Sequence, residues 1–557
     1  GKIDPLKLNT LYLKGDKKNV VTRKYTSIRQ VYKPLKSSET EQLLTDIKKK
    51  GEYTSDRPLW AYNPYGTNES ALYVYFRSEG KCYCRYTISV DNDKIPDFTR
   101  TLSNGASGNV SEEHEYQLIG LVPGETNYII LRLYNSKDEL SKTMYYKIRM
   151  PKGDTGAQTI LDTETGNSKT EINNGLYTVF QKDISSGHVV NKIVTKKVKI
   201  GKKKITKKVK KRVKVRTRKY AVLLYDNSGV LRSVIPTINS SGYNAQIIYD
   251  NLVYSCAKDE IAQINSLGQV MSTTRLIGYK QSGEFAYDGA GNLYVIASAG
   301  NTISSRVLKI VLETGEVSEA LKMEDVLPTV YQKALKKSAA KAKHWITLNS
   351  VQVAGTNQLL VSSAALSSIF KISNAGSLMP KVDYIIADKK LWKDYKKLKK
   401  KVLKKALPAD ASPTPEATQA VESILETKVE TPDVFLSQYG QNAIVRETED
   451  SLTDGQYYLY MLNNNAGRGA AASQNSYYYK YLVDENAGTY ILSEKQRLSR
   501  STAGGNVVPL EEGWLETVSK KGRFLEVDPQ GKAIRTFQIK GDLRRVYKTD
   551  WKGFWFY

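Results

Sequence analysis

Leu224-Tyr-Asp-Asn-Ser-Gly229-Val is a phrase that the chain repeats. It returns as Gln263-Ile-Asn-Ser-Leu-Gly268-Gln-Val, Lys309-Ile-Val-Leu-Glu-Thr-Gly315-Glu-Val, Lys371-Ile-Ser-Asn-Ala-Gly376, Tyr481-Leu-Val-Asp-Glu-Asn-Ala-Gly488 and Glu526-Val-Asp-Pro-Gln-Gly531. The pattern is an apolar alternation, usually an Asp or Asn, a short spacer, a Gly and a resumed apolar residue. A glycine accepts the positive φ of a tight turn, so each copy reads as a strand, a turn and a second strand. Upstream of each copy lies another apolar run: Asn174 to Phe180, Asn251 to Cys256, Gly291 to Ala297, Asn357 to Ser362, Asp454 to Tyr460 and, most weakly, Gly505 to Val508. A multi-stranded unit occurring six times predicts an all-β, six-bladed β-propeller. A β-sandwich with chance hairpins is the competing fold, but it does not repeat one phrase.

The length of 557 residues exceeds one compact domain and suits a large repeat domain with smaller companions. No apolar run approaches the ~20 residues of a membrane helix. The net charge of +27 is concentrated in two places. Residues 192–219 hold 16 Lys or Arg and no acid, and residues 389–405 hold ten Lys and one Asp, so the other 512 residues are almost neutral. Basicity is therefore a property of two appendages.

Valines and isoleucines interleave the first block around Gly201-Lys-Lys, which predicts a basic β-hairpin leaving blade one. In residues 388–407, Leu391, Trp392, Tyr395, Leu398, Val402 and Leu403 share one helical side, predicting a basic amphipathic helix. A Pro/Ala/Thr-rich linker, Pro408 to Thr418, follows, and the whole insertion is bounded at 388–432. Residues 324–343 are rich in Ala, Lys and Leu and read as a helical insertion. The propeller is assigned to 160–557, an immunoglobulin-like β domain to 60–155, and an N-terminal arm to 1–59, with one helix from Glu39 to Lys50 capped by Ser38. The chain starts at Gly1 with neither Met nor a signal sequence, which is the pattern of a processed product.

The segment Pro58-Leu-Trp-Ala-Tyr-Asn63-Pro-Tyr-Gly66-Thr, with Glu113-His114-Glu-Tyr and Ile119-Gly-Leu-Val-Pro-Gly124-Glu-Thr-Asn127, resembles the N-terminal domain of bacterial aryl-sulfate sulfotransferases. The likeness continues through Trp345 to Ser350, Leu360 to Ser363, Tyr439 to Ala443 and Arg545-Val-Tyr547. It implies a six-bladed propeller behind a small β domain, a location outside the cytoplasm (secreted, cell surface or periplasmic), and transfer of a sulfuryl group between phenols without a nucleotide or other cofactor. The resemblance also implies funnel histidines, one of them sulfated during turnover, and an arginine for the sulfuryl oxygens. Imidazole can attack sulfur and leave again, and cations stabilise the anionic transition state.

This chain departs from that pattern. The nucleophile's Gly-Gln-His reads Gly440-Gln441-Asn442, and an amide nitrogen has no free lone pair for the attack. Trp-x-His-x-Asn-Ser reads Trp345 to Ser350, with Thr347 in place of the imidazole and Asn349 retained. Ser-Ser-Arg reads Ser362-Ser363-Ala364, and a further histidine is replaced near Glu284. The chain has three histidines. His344 is a possible rescue by a register shift, while His114 and His188 read as packing or solvated residues. No metal-ligand spacing occurs, and the Asn464 to Gly469 loop lacks a phosphate-binding context. Cys82 and Cys84 share a strand face as a reduced pair, and Cys256 reads as core.

The expectation is a catalytically degenerate, extracellular member of that fold serving as a structural, assembly-forming or polyanion-binding module. The alternative is an active sulfotransferase with a non-standard site. The expected contacts to an anionic surface polymer, or to neighbouring copies in a homo-oligomer, are Lys196, Lys197, Lys203, Lys208, Lys211, Arg212, Lys396 and Lys400. Nucleic acid is disfavoured because no aromatics interleave the first basic block. In a homopolymer the N-terminal arm would add a strand to a neighbour.

Overall fold

The computed structural model describes residues 3–408, 434–467 and 475–557. Six antiparallel sheets with the same internal order make a six-bladed propeller. From the pore outward, blade two is Ala245–Ile248, Asn251–Ala257, Glu260–Ile264 and Val270–Arg275, and blades three and four follow that order from Lys280–Tyr287 and Leu348–Gly355. Blade five begins at Asn442–Glu447. The repeated phrase is the hairpin between the third and fourth strands of every blade, and in blades one, two and six its Asp or Asn closes the turn. Asp226 Oδ1 accepts from the N–H groups of Ser228 (2.8 Å) and Val230 (3.0 Å), and Asp528 Oδ1 accepts from Gln530 and Lys532, both at 2.9 Å. A short side chain that bonds its own turn is the reason the phrase recurs.

Closure uses both ends of the propeller segment. The innermost strand of blade one, Leu543–Thr549, pairs with Leu176–Gln181, which is followed outward by Ala221–Tyr225 and Leu231–Pro236. Asp162–Thr165 adds an outer strand to blade six beside Ala533–Gln538. In blade six, Gly505 to Val508 leads into the short first strand, Val507–Pro509, and the second strand is Trp514–Val518.

The small domain is built on the 19-residue strand Leu72–Val90, which pairs with four neighbours. The arm is woven into this sheet. Leu8–Leu11 runs parallel to Leu140–Arg149, and Val21–Thr22 runs parallel to Leu59–Tyr62, so these strands are paired within the chain. The arm's helix is Pro34–Lys50 and not Glu39 to Lys50. Pro34 supplies a start with no N–H to satisfy, and Ser37, not Ser38, is put to use, its Oγ accepting from Val270 N–H at 2.9 Å. Buried Arg232 ties the domains together by donating to Asp226, Gly120 O and Pro96 O at 2.7–2.9 Å. Cys82, Cys84 and Cys256 are all free and buried.

Residues 388–405 do not form one amphipathic helix. A 3₁₀ turn, Lys389–Trp392, a single helical turn, Lys396–Lys399, and a strand, Lys404–Ala406, strap blade four to blade five, where the strand pairs with Thr489–Leu498. Trp392 is buried and stacks edge-on against Phe370. Of the predicted apolar side, Trp392 and Val402 are buried in the propeller, while Leu391 stays exposed. The linker from residue 409 onward lies outside the described residues. Residues 323–343 hold three short helices, Met323–Val326, Pro328–Lys337 and Ala339–Lys343.

Adjacent innermost strands diverge around the pore, leaving backbone groups on their inner edges without a ladder partner, and such groups are costly when buried. Side chains supply the partners, one link per blade junction. Arg544 donates to Gly242 O (3.2 Å), and the Asn244 amide exchanges two bonds with Phe285 (2.8 and 3.1 Å). Glu284 accepts from Val351 N–H (2.8 Å), and Ser350 accepts from Ile444 N–H (3.1 Å). Asn442 donates to Gly505 O (2.5 Å), and Asn506 exchanges two bonds with Val546 (2.9 and 3.1 Å). The ring is complete.

Removing the Asn506 amide strands two buried backbone groups at the junction that closes the ring, so Asn506→Ala is expected to cost about 2–3 kcal/mol. Chemical denaturation checks this, and Asn506→Asp, which keeps only the acceptor, should fall between. His114 gives a second test. It is buried in the small domain against Phe76 and bonds Tyr116 (2.6 Å) and Ser78 (2.9 Å). Burial pushes its imidazole down from 6.5 to about 4. The unfolded chain therefore takes up a proton that the folded chain refuses, and stability that is complete above the unfolded value is lost as pH falls through about 4. The loss amounts to roughly 3 kcal/mol, and His114→Phe should show a correspondingly flatter acid limb.

Candidate functional site at the propeller pore

Antiparallel alternation brings three kinds of backbone to one end of the propeller: the start of each innermost strand, the connection leading into it, and the turn between second and third strands. In blade four, Leu348 pairs with Ser363, which places Thr347 and Ala364 side by side at that end. Gln441 joins them to blade five. Its side-chain amide donates to Ser362 Oγ (2.9 Å), Ser363 O (3.1 Å) and Ser368 O (3.2 Å), while its backbone carbonyl accepts from the Asn349 side chain at 2.7 Å. The structure thus gathers Thr347, Asn349, Ala364 and Asn442 around one junction. Thr347 is half-buried with φ of 47°, a left-handed conformation rarely adopted by a β-branched residue.

Glu284 lies in the innermost strand of blade three and is buried. Its partner is Arg545, which comes from blade one. One guanidinium nitrogen donates to Glu284 at 2.5 Å and to Tyr547 Oη at 3.1 Å, and another donates to Asn349 O of blade four at 2.8 Å. The guanidinium is therefore laid across the pore. Burial pushes the Glu284 carboxyl up against the opposing pull of Arg545. For Arg545 burial acts to lower the pKa, but Tyr547 and Glu284 overcome it and hold the guanidinium above its ordinary value. Arg545 is in the closing-strand motif, yet nothing in the motif shows that it reaches blade three. That contact is decided by ring closure.

The imidazoles lie elsewhere. His344 is exposed at the C-terminal end of the helix Ala339–Lys343, His188 is exposed on the basic ribbon, and His114 is buried in the small domain. Among the described residues no group of three or more His, Cys, Asp or Glu side chains is arranged to hold a metal ion. Beside the pore, the same face carries a cleft of 1410 Å³ whose lining includes Arg29, Lys258, Arg275, Lys280 and Lys343. Asp259 lies against Arg275 at 3.4 Å and is the only acid in the lining.

The first basic block forms part of a two-stranded ribbon, Ile184–Ile200 and Lys203–Lys219, joined by Gly201-Lys202 with Gly201 at φ of 61°. It grows from the turn between the second and third strands of blade one, hence from the pore face: Gln181, just before it, pairs with Leu543 at the start of the innermost strand. Among the described residues the ribbon strands pair only with each other. Of the predicted contacts, Lys197, Lys208 and Arg212 share one face, and Lys196, Lys203 and Lys211 the other. Lys396 and Lys400 are exposed on the strap.

No curated protein matches this chain. The periplasmic gluconolactonase PpgL of Pseudomonas aeruginosa is similar in structure at 9% identity and a TM-score of 0.32, covering 84% of this chain and 99% of its own. BamB of Moraxella catarrhalis is similar at 9% identity and a TM-score of 0.24, covering 55% of this chain and 92% of its own. The sequence model of the arylsulfotransferase Ig-like domain matches residues 59–151, and that of arylsulfotransferase (ASST) matches residues 162–512. With both parts of the chain matched, an immunoglobulin-like domain followed by a six-bladed propeller, the protein belongs to the arylsulfotransferase (ASST) family.

Proposed function

We propose that this chain is a catalytically degenerate member of the family that works outside the cytoplasm as a structural, polyanion-binding module. The observation that carries this reading is the state of the pore. Arg545, a cation that the described residues place in the pore, is committed to Glu284, Tyr547 and the backbone of Asn349, so it is not free to receive sulfuryl oxygens. Asn442, at the nucleophile's position, donates to Gly505 O and helps hold blade five to blade six. Positions that the family uses for transfer chemistry are here used to lace the ring. The exposed lysines of the ribbon and the cationic cleft remain on the same face, where an anionic surface polymer has access. Assembly through the N-terminal arm is less well supported, because its strands are paired within their own chain.

Purified protein incubated with an aryl sulfate donor and a phenol acceptor is expected to give no turnover above buffer. Turnover abolished by Asn442→Ala or Thr347→Ala would establish a working, altered site and overturn the proposal. A stability measurement reads the pore independently. Glu284→Gln leaves Arg545 buried without its counter-charge and should cost about 3–5 kcal/mol. A variant as stable as the wild type would show that the pair is not structural.

A further inference from the structure

The register of the ribbon divides its cations into two faces of different character, because directly opposed residues of an antiparallel pair share a face. On the first, Val190 opposes Val213, Val194 opposes Val209 and Val198 opposes Ile205, with the like-charged pairs Lys192–Lys211 and Lys196–Lys207 between them. These apolar cross-strand pairs hold the ribbon together. On the second face, Lys208, Lys210, Arg212, Lys214, Arg216 and Arg218 follow one another along a single strand. Each stands opposite a neutral residue: Thr195, Ile193, Asn191, Val189, Gly187 and Ser185 respectively. Successive same-face positions are about 6.8 Å apart, so the row is about 34 Å long, and only towards the turn does the same face add Lys204 on this strand and Lys197 and Lys199 on the other. Among the described residues only Arg218, at the base, has a carboxylate within 4 Å, namely Asp183 at 3.9 Å.

We propose that this row is the docking track for a linear polyol-phosphate polymer, a chain carrying one phosphodiester on each short repeat, laid along the strand Lys203–Lys219. The inference rests on the polyanion-binding reading above and assigns it one face and one partner. A single file of evenly spaced cations matches a single file of anions, and arginine forks suit phosphate oxygens. A second copy of the chain offers no comparable partner, since the 512 residues outside the two basic blocks carry a net charge of only +2. Single-stranded nucleic acid would find no Phe, Tyr or Trp on the ribbon to stack against. A bilayer would find no aromatic or leucine anchor there.

The test compares two full-length variants that lose the same charge. The track variant carries Lys208→Gln, Lys210→Gln, Arg212→Gln, Lys214→Gln and Arg216→Gln, and the control carries Lys192→Gln, Lys196→Gln, Lys203→Gln, Lys207→Gln and Lys211→Gln. Titration calorimetry with a glycerol-phosphate oligomer of about six repeats, over a series of salt concentrations, reads the binding. The track variant should bind at least tenfold more weakly than the control, and its log–log salt slope should drop by roughly 3 to 4, at about 0.7 per phosphate contact. Circular dichroism should show both propellers intact, because the ribbon pairs only with itself. Equal weakening in the two variants would sink the track while leaving a diffuse polyanion-binding function standing. Absence of binding by the wild type to this oligomer, to a polyuronate and to anionic vesicles would sink both. Tighter binding of oligo-dT, the polyuronate or the vesicles than of the polyol phosphate would overturn the assigned partner.

Discussion

The inner edges of six strands meet around a pore too wide for backbone to bond backbone, and the structure depends on how those edges are satisfied. One side-chain link at each junction, from Arg544 around to Asn506, replaces the missing ladder. Residues in that ring are held to short distances from a neighbouring blade, which leaves them little freedom for chemistry. Glu284 and Asn442 are two of its members.

Arg545 extends this logic across the pore. A guanidinium buried at the centre of a propeller is tolerable only if its charge and donors are met, and blades three and four meet them through Glu284 and the Asn349 carbonyl. Chemistry that needs a free cation and chemistry that needs a rigid ring compete for the same volume. Here Arg545 and Glu284 meet each other inside the pore, while among the described residues the ribbon and the neighbouring cleft carry cations outside it. The six junction links use no ribbon charge.

Much of the propeller was legible because its turns are local. In blades one, two and six an Asp or Asn bonds the N–H groups two and four residues on, and all six phrases carry a Gly at positive φ, so six hairpins could be counted from six phrases. Reading failed where neighbours in space overrule neighbours in sequence. The lysine-rich stretch 388–405 has helical spacing, but Trp392 has a pocket beside Phe370 and Lys404–Ala406 has a strand partner in blade five, so the segment becomes a strap. Ser38 has the chemistry of a helix cap, yet Pro34 starts the helix a turn earlier.

The sequence by itself determined the count of blades, the small β domain ahead of them and the concentration of charge. These are properties of composition, spacing and turn chemistry, which act over a few residues. The tertiary structure decided that Arg545 reaches Glu284 across 261 residues, that the arm's strands pair within their own chain, and that the ribbon sorts its cations onto two unlike faces. Closure and register set those outcomes, and both depend on which distant strands come to lie side by side.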